Sequence, residues 1–146
     1  MPKGRQCAEY SLECTSTTCT AGPAGEKILA LNFWGDATGG LGTLVCTVTI
    51  DTSRDGRMDF CGVSFEKNGD LGNASGHGFC RTAGKHRWAT QLLLHCSDGD
   101  VVLMEGLLDL ATNTMSGIAY EWITEDVRRP AAAVKDYRDW LPHQAA

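Results

Sequence analysis

The residues of this chain that could do chemistry at short spacing are histidines and cysteines. His77-Gly-Phe-Cys80 and His95-Cys96 supply four ligands of the kinds that Zn²⁺ accepts, and Cys7, Cys14 and Cys19 supply three more. The spacing does not gather them. No CxxC pair exists, and His95 and Cys96, adjacent on a strand, point to opposite faces. The expectation is no metal, with thiols buried as small hydrophobes and histidines near turns. A cysteine–histidine nucleophile fares no better, since no strand cysteine has a helix N-terminus or a cluster of basic neighbours to lower its pKa. Gly39-Gly-Leu-Gly42 and Gly69-Asp-Leu-Gly72 lead into strands rather than helices, so they are turns and not phosphate cradles, and no cofactor is expected.

Carboxylates in apolar surroundings are the other candidates. Glu105 stands among Leu103, Met104, Leu107 and Leu108, and Glu121 stands between Tyr120 and Trp122. An ionisable group in an apolar strand needs a partner, a proton or water, and such groups concentrate at functional sites.

Composition narrows the classes. The chain has 146 residues, 42% of them hydrophobic and 21% charged, with 17 Gly and 4 Pro, which fits a strand-and-turn protein with one core. A formal net charge of −5 with scattered Lys and Arg argues against nucleic acid as a partner. The N-terminal segment lacks an apolar signal region and no run reaches membrane-spanning length, so a cytoplasmic protein without a membrane partner is expected. Seven cysteines in that setting are expected to be reduced.

The elements that must position these residues are strands. Ala8, Tyr10, Leu12 and Cys14 alternate with Glu9, Ser11 and Glu13, a period of two with one wet face. Thr15 to Gly25 has the composition of a loop. Further strands are expected over Ile28–Trp34, Thr43–Thr52, Met58–Glu66, Gly76–Thr82 and Met115–Thr124. The strongest local signal is a hairpin in which Thr90–Cys96 and Val101–Leu110 meet at Ser97-Asp-Gly-Asp100, where Gly99 can take positive φ and the Asp side chains can bond back to the turn amides. About eight strands with short links escape their edge problem most simply by closing on themselves. The expected fold is mainly β, a single closed antiparallel up-and-down barrel over 1–127. One amphipathic C-terminal helix is expected over 128–142, with Pro130 in its first turn and Ala133, Tyr137, Trp140 and Leu141 as its apolar stripe. The Trp140 stripe is a natural contact for a homodimer.

Aromatic residues recur along the strands with few charges between them, as a hollow holding a small apolar ligand requires. Trp34, Phe60, Trp88, Met104 and Trp122 are the expected wall, and Tyr120 and Glu105 the polar groups able to act on a guest. A barrel filled by the same side chains is the plainer alternative.

One stretch resembles a known group. Gly72-Asn-Ala-Ser-Gly76, the strand through Cys80 and Arg81, Leu92–Leu94, and Ser97-Asp-Gly-Asp-Val-Val-Leu-Met-Glu-Gly-Leu-Leu-Asp109 are similar to the middle of the allene oxide cyclase and dirigent-like barrels, and the Ser-Asp-Gly…Glu-Gly…Asp part of the last is similar to a segment of the bacterial spirotetronate cyclases. Where the first two families carry Gly-Gly-Thr-Gly-x-Tyr, this chain has Thr114-Met-Ser-Gly-Ile-Ala-Tyr-Glu-Trp122. The resemblance implies a calycin-like or allene-oxide-cyclase-like barrel. It also implies a cofactor-independent cyclase or isomerase that folds an apolar polyketide- or terpenoid-like intermediate, by a Diels–Alder-type cycloaddition among other closures. Such catalysis rests on orientation more than on acid–base groups. Two other functions fit the residues: a non-catalytic carrier of a small apolar ligand, and a structural or interaction barrel with a filled core.

Overall fold

The computed structural model describes residues 3–53 and 56–122. The helix expected over 128–142 lies outside them. Eight antiparallel strands follow one another around a closed barrel: β1 (Lys3–Ala21), β2 (Lys27–Ala37), β3 (Gly42–Asp51), β4 (Arg57–Phe65), β5 (Leu71–Thr82), β6 (Arg87–Cys96), β7 (Val101–Asp109) and β8 (Thr114–Trp122). β8 returns to β1, pairing from Lys3↔Trp122 to Glu13↔Thr114. Among the described residues no helix is long and apolar enough to cross a membrane.

Alternation sets the faces. Ala8, Tyr10 and Leu12 point inward, as do Leu31 and Phe33, Cys46 and Val48, Met58 and Phe60, Leu92 and Leu94, Met104 and Leu108, and Met115 and Ala119, all buried. The hairpin between β6 and β7 forms as its turn residues dictate. Gly99 sits at φ 95°, Asp98 Oδ1 accepts the Asp100 N–H at 2.9 Å, and the Cys96 N–H donates to the Asp100 carbonyl at 2.9 Å.

Two elements differ from the sequence-based expectation. β1 runs on through Thr15–Ala21, where a loop is expected, because this Thr-rich segment is β-branched and finds a complete partner in β2 (Ser16↔Asn32 to Ala21↔Lys27). A register shift between Cys14 and Ser16 marks where β1 leaves β8 and continues with β2 alone. β5 begins at Leu71 rather than Gly76, since Gly72 and Ala74 continue its inward face.

The barrel is filled unevenly along its axis. At the end closed by the β1–β2, β3–β4, β5–β6 and β7–β8 turns, the lumen holds Leu12, Leu31, Phe33, Val48, Met58, Leu92, Leu108 and Met115, none more than 1% exposed. Toward the other end the small residues Ala8, Ala37, Gly62, Gly72, Ala74 and Ala119 are interspersed among the larger inward side chains Leu44, Phe60, Leu94 and Val102. Eight strands fix one barrel radius, so small side chains in one half leave space that large ones fill in the other.

Candidate functional site: a half-open barrel

That space is a cavity of about 650 Å³ open at the end where β1 starts and β8 finishes, well within the size range of small-molecule sites. Phe60, Leu94, Met104, Val102 and Leu44 form apolar wall, and Cys46, Ser64 and Tyr10 bring polar atoms into it. The rim is made by the β2–β3, β4–β5 and β6–β7 turns. The last two are tied together, with the Ser97 N–H donating to the Asn73 carbonyl at 2.8 Å and the Asn73 N–H donating to Ser97 Oγ at 3.3 Å.

Tyr10 is the polar group at the floor. It is 4% exposed, and among the described residues its hydroxyl has no hydrogen-bond partner. Thr90, on the far wall and 2% exposed, is in the same condition. The two hydroxyls lie near enough for Thr90 to oppose the rise that burial imposes on the Tyr10 pKa, but not in a geometry that satisfies either. Burial lifts that pKa well above the ordinary phenol value, with Cys46 and Glu105 adding to it, so at neutral pH Tyr10 is a hydrogen-bond donor and not a base. An unsatisfied buried hydroxyl is costly, and this one is sealed against the β7–β8 wall at Gly106 and Gly117, so a guest with an acceptor would reach it only if the ring turned toward the cavity.

The thiols in and around the cavity are protonated. Burial pushes Cys46 up to about 12, helped by Cys61, and burial likewise raises Cys7 and Cys96. A thiolate nucleophile is therefore not on offer here. The metal candidates are separated by the pleat, with Cys80 and Cys96 on inward positions and His77 and His95 on outward ones.

The residues expected to act on or enclose a guest divide by face. Phe60 and Met104 line the cavity. Trp88 faces inward but packs against the core at the closed end. Glu105, Tyr120, Trp34 and Trp122 are corrections, because all four occupy outer positions. Glu105 follows inward Met104 and accepts from Gln91 Nε2 at 2.7 Å, Tyr120 follows inward Ala119, Trp122 shares the face of Tyr120, and Trp34 is 55% exposed. A one-residue shift of parity moves every side chain across a sheet, and both faces of β7 are apolar enough to hide which is inside. The residue that sequence reasoning missed is Tyr10, whose signal was the clean inward alternation of Ala8, Tyr10 and Leu12.

A larger hollow of about 960 Å³ lies outside the barrel between Glu9, Ser11, Asp36, Thr43, Phe65 and Ser116. It is more open to solvent than the lumenal cavity.

Comparison with protein-family models, with curated proteins and with solved structures gave no match in any of the three.

Proposed function

We propose that the barrel binds a small, largely apolar molecule in its open half. The observation that carries this is the axial division of the lumen, where a hollow opened by Ala and Gly positions between larger apolar side chains stands on a floor of fully buried Leu, Phe and Met. A structural barrel with a filled core would have no reason to empty one half only, since each missing contact lowers stability. Titration of the full chain with the neutral fluorophore N-phenyl-1-naphthylamine tests the reading. Saturable enhancement is expected in the wild type and its loss in Ala74→Leu, which fills the hollow from β5. Equal enhancement in both sinks the proposal.

A second reading, a cofactor-independent cyclase or isomerase, is favoured by Tyr10. A phenol whose ring turns from the β7–β8 wall into an apolar cavity can donate to a substrate carbonyl and polarise it while the walls hold the chain folded for closure. The resemblance of segment 72–109 to cyclase barrels motivates the polyketide- or terpenoid-like substrate class. On this reading the polarising role expected of Tyr120 and Glu105 passes to Tyr10, because those two residues lie outside the cavity.

A further inference from the structure

The outer wall of the barrel carries an apolar face of its own. Leu93 on β6, Leu103 on β7 and Tyr120 on β8 are directly paired outward positions, one row across three strands. Val101, Ile118 and Trp122 extend it along β7 and β8, and each of the six keeps part of its surface exposed. Single apolar residues on a surface are ordinary, as with Phe79 between Arg57 and Gln91. A continuous face marks a contact. A second row, Trp34, Val45 and Val63, crosses β2, β3 and β4, but those strands are joined to their neighbours by short turns, and no free segment of the chain starts beside it.

The β7–β8 face lies where the chain continues. Trp122 ends β8 on this face, and residues 123–146 follow it. Within them Ala133, Tyr137, Trp140 and Leu141 recur at helical spacing behind Pro130, the pattern of a helix with one apolar stripe. A helix over 130–141 measures about 18 Å, shorter than β8 at about 30 Å, and a linker over 123–129 spans at most about 24 Å. That suffices to turn back at the rim and bring the stripe alongside the face. A helix so short is marginal alone in water and takes its stability from packing an apolar stripe. Charge agrees with the pairing, since Glu105 stands in the middle of the face and Arg128-Arg129 stand in the linker.

We propose that residues 130–141 form a helix docked along the outer face of β7 and β8, with Tyr137, Trp140 and Leu141 laid over Leu93, Leu103, Ile118 and Tyr120. The occupant is this chain's own segment and not a second copy, because a short tether holds it at an effective concentration on the order of millimolar. The docked helix lies outside the lumen and leaves the mouth of the cavity open, so the inference goes beyond the ligand-binding reading and does not rest on it.

Hydrogen exchange of the full-length protein, read by mass spectrometry on peptides covering 130–141, is the test. Amides there should exchange at least about tenfold more slowly than in an unstructured chain. Leu103→Asp/Ile118→Asp should abolish that protection while peptides from β2, β3 and β4 keep theirs. Leu103→Ser/Ile118→Ser gives the same readout should the aspartates prevent folding. Absence of protection in the wild type overturns the proposal. Protection that survives in a folded double variant also overturns it, because the segment would then lie elsewhere, across the mouth or on the Trp34 row. Protection that grows with protein concentration, together with a doubled mass in sedimentation, would make the occupant a second copy and overturn it as well.

Discussion

The hydroxyl of Tyr10 rests against bare backbone at Gly117, where a Cβ would come within 2.7 Å of it, and against Gly106 on the next strand, where the approach is closer still. Gly106 and Gly117 are directly paired across β7 and β8. The ring can reach the floor of the cavity only because two facing positions lack side chains.

Gly106→Ala should therefore push Tyr10 out of place. The added methyl would also meet the Ser116 carbonyl, which is backbone and cannot swing aside. A loss of about 1–3 kcal/mol is expected from this overpacking, read as a lowered midpoint in urea, together with weakened fluorophore binding. An unchanged midpoint would show that the ring has room to spare.

Tyr10→Phe separates fold from binding. The hydroxyl makes no hydrogen bond among the described residues, so its removal should leave the thermal midpoint unchanged or slightly raised. Binding of a ligand that carries a carbonyl should weaken by about 0.5–1.5 kcal/mol, while a pure hydrocarbon of similar shape should bind as before. Equal losses for both ligands would remove Tyr10 as a donor.

The two halves of the lumen should respond differently to truncation. Phe33→Ala and Leu108→Ala, in the filled half, should each cost about 2–5 kcal/mol by leaving a dry void. Leu44→Ala, on the wall of the open half where the side chain is only half-buried, should cost clearly less and enlarge the range of ligands accepted. Denaturant melts of the three variants decide it, and a Leu44→Ala loss as large as the others would contradict an open half.

This axial contrast also marks how far the sequence could be followed. Period-two alternation and turn residues such as Ser97-Asp-Gly-Asp100 suffice to place the strands and the closure, because they are local signals. The faces of β7 and β8 are not local. Glu105 and Met104 sit in equally apolar company, and only pairing with β6 and β8 in the closed barrel turns Met104 inward and Glu105 toward Gln91. The continuation of β1 through Thr15–Ala21 was hidden for a related reason, as threonines suit loops and strands alike until a partner strand is known. The gradient from Leu12 to Ala8 and from Phe33 to Ala37 is present in the sequence, but its meaning depends on the axial level at which each residue lies.

Cys46 gives the protein a pH dependence whose direction can be worked out. The thiol ordinarily titrates at 9.0, and burial in the lumen pushes it up to about 12. Between those values the folded barrel keeps a proton that the unfolded chain has released, so rising pH favours unfolding. The contribution is complete below pH 9 and is lost as the pH climbs toward 12, with about 1.4 kcal/mol gone near pH 10. Urea midpoints measured near pH 8 and near pH 10 should show this fall, and Cys46→Ala should remove the part that Cys46 supplies, leaving the smaller contributions of Cys7, Cys80 and Cys96, whose thiols burial also raises, and that of Tyr10 at higher pH. Labelling with iodoacetamide at neutral pH gives an independent check by mass spectrometry. The exposed Cys19 and Cys61 should be modified in the native protein and Cys46 only after unfolding. Rapid native modification of Cys46 would mean that the lumen admits water and reagent far more freely than its 4% exposure allows.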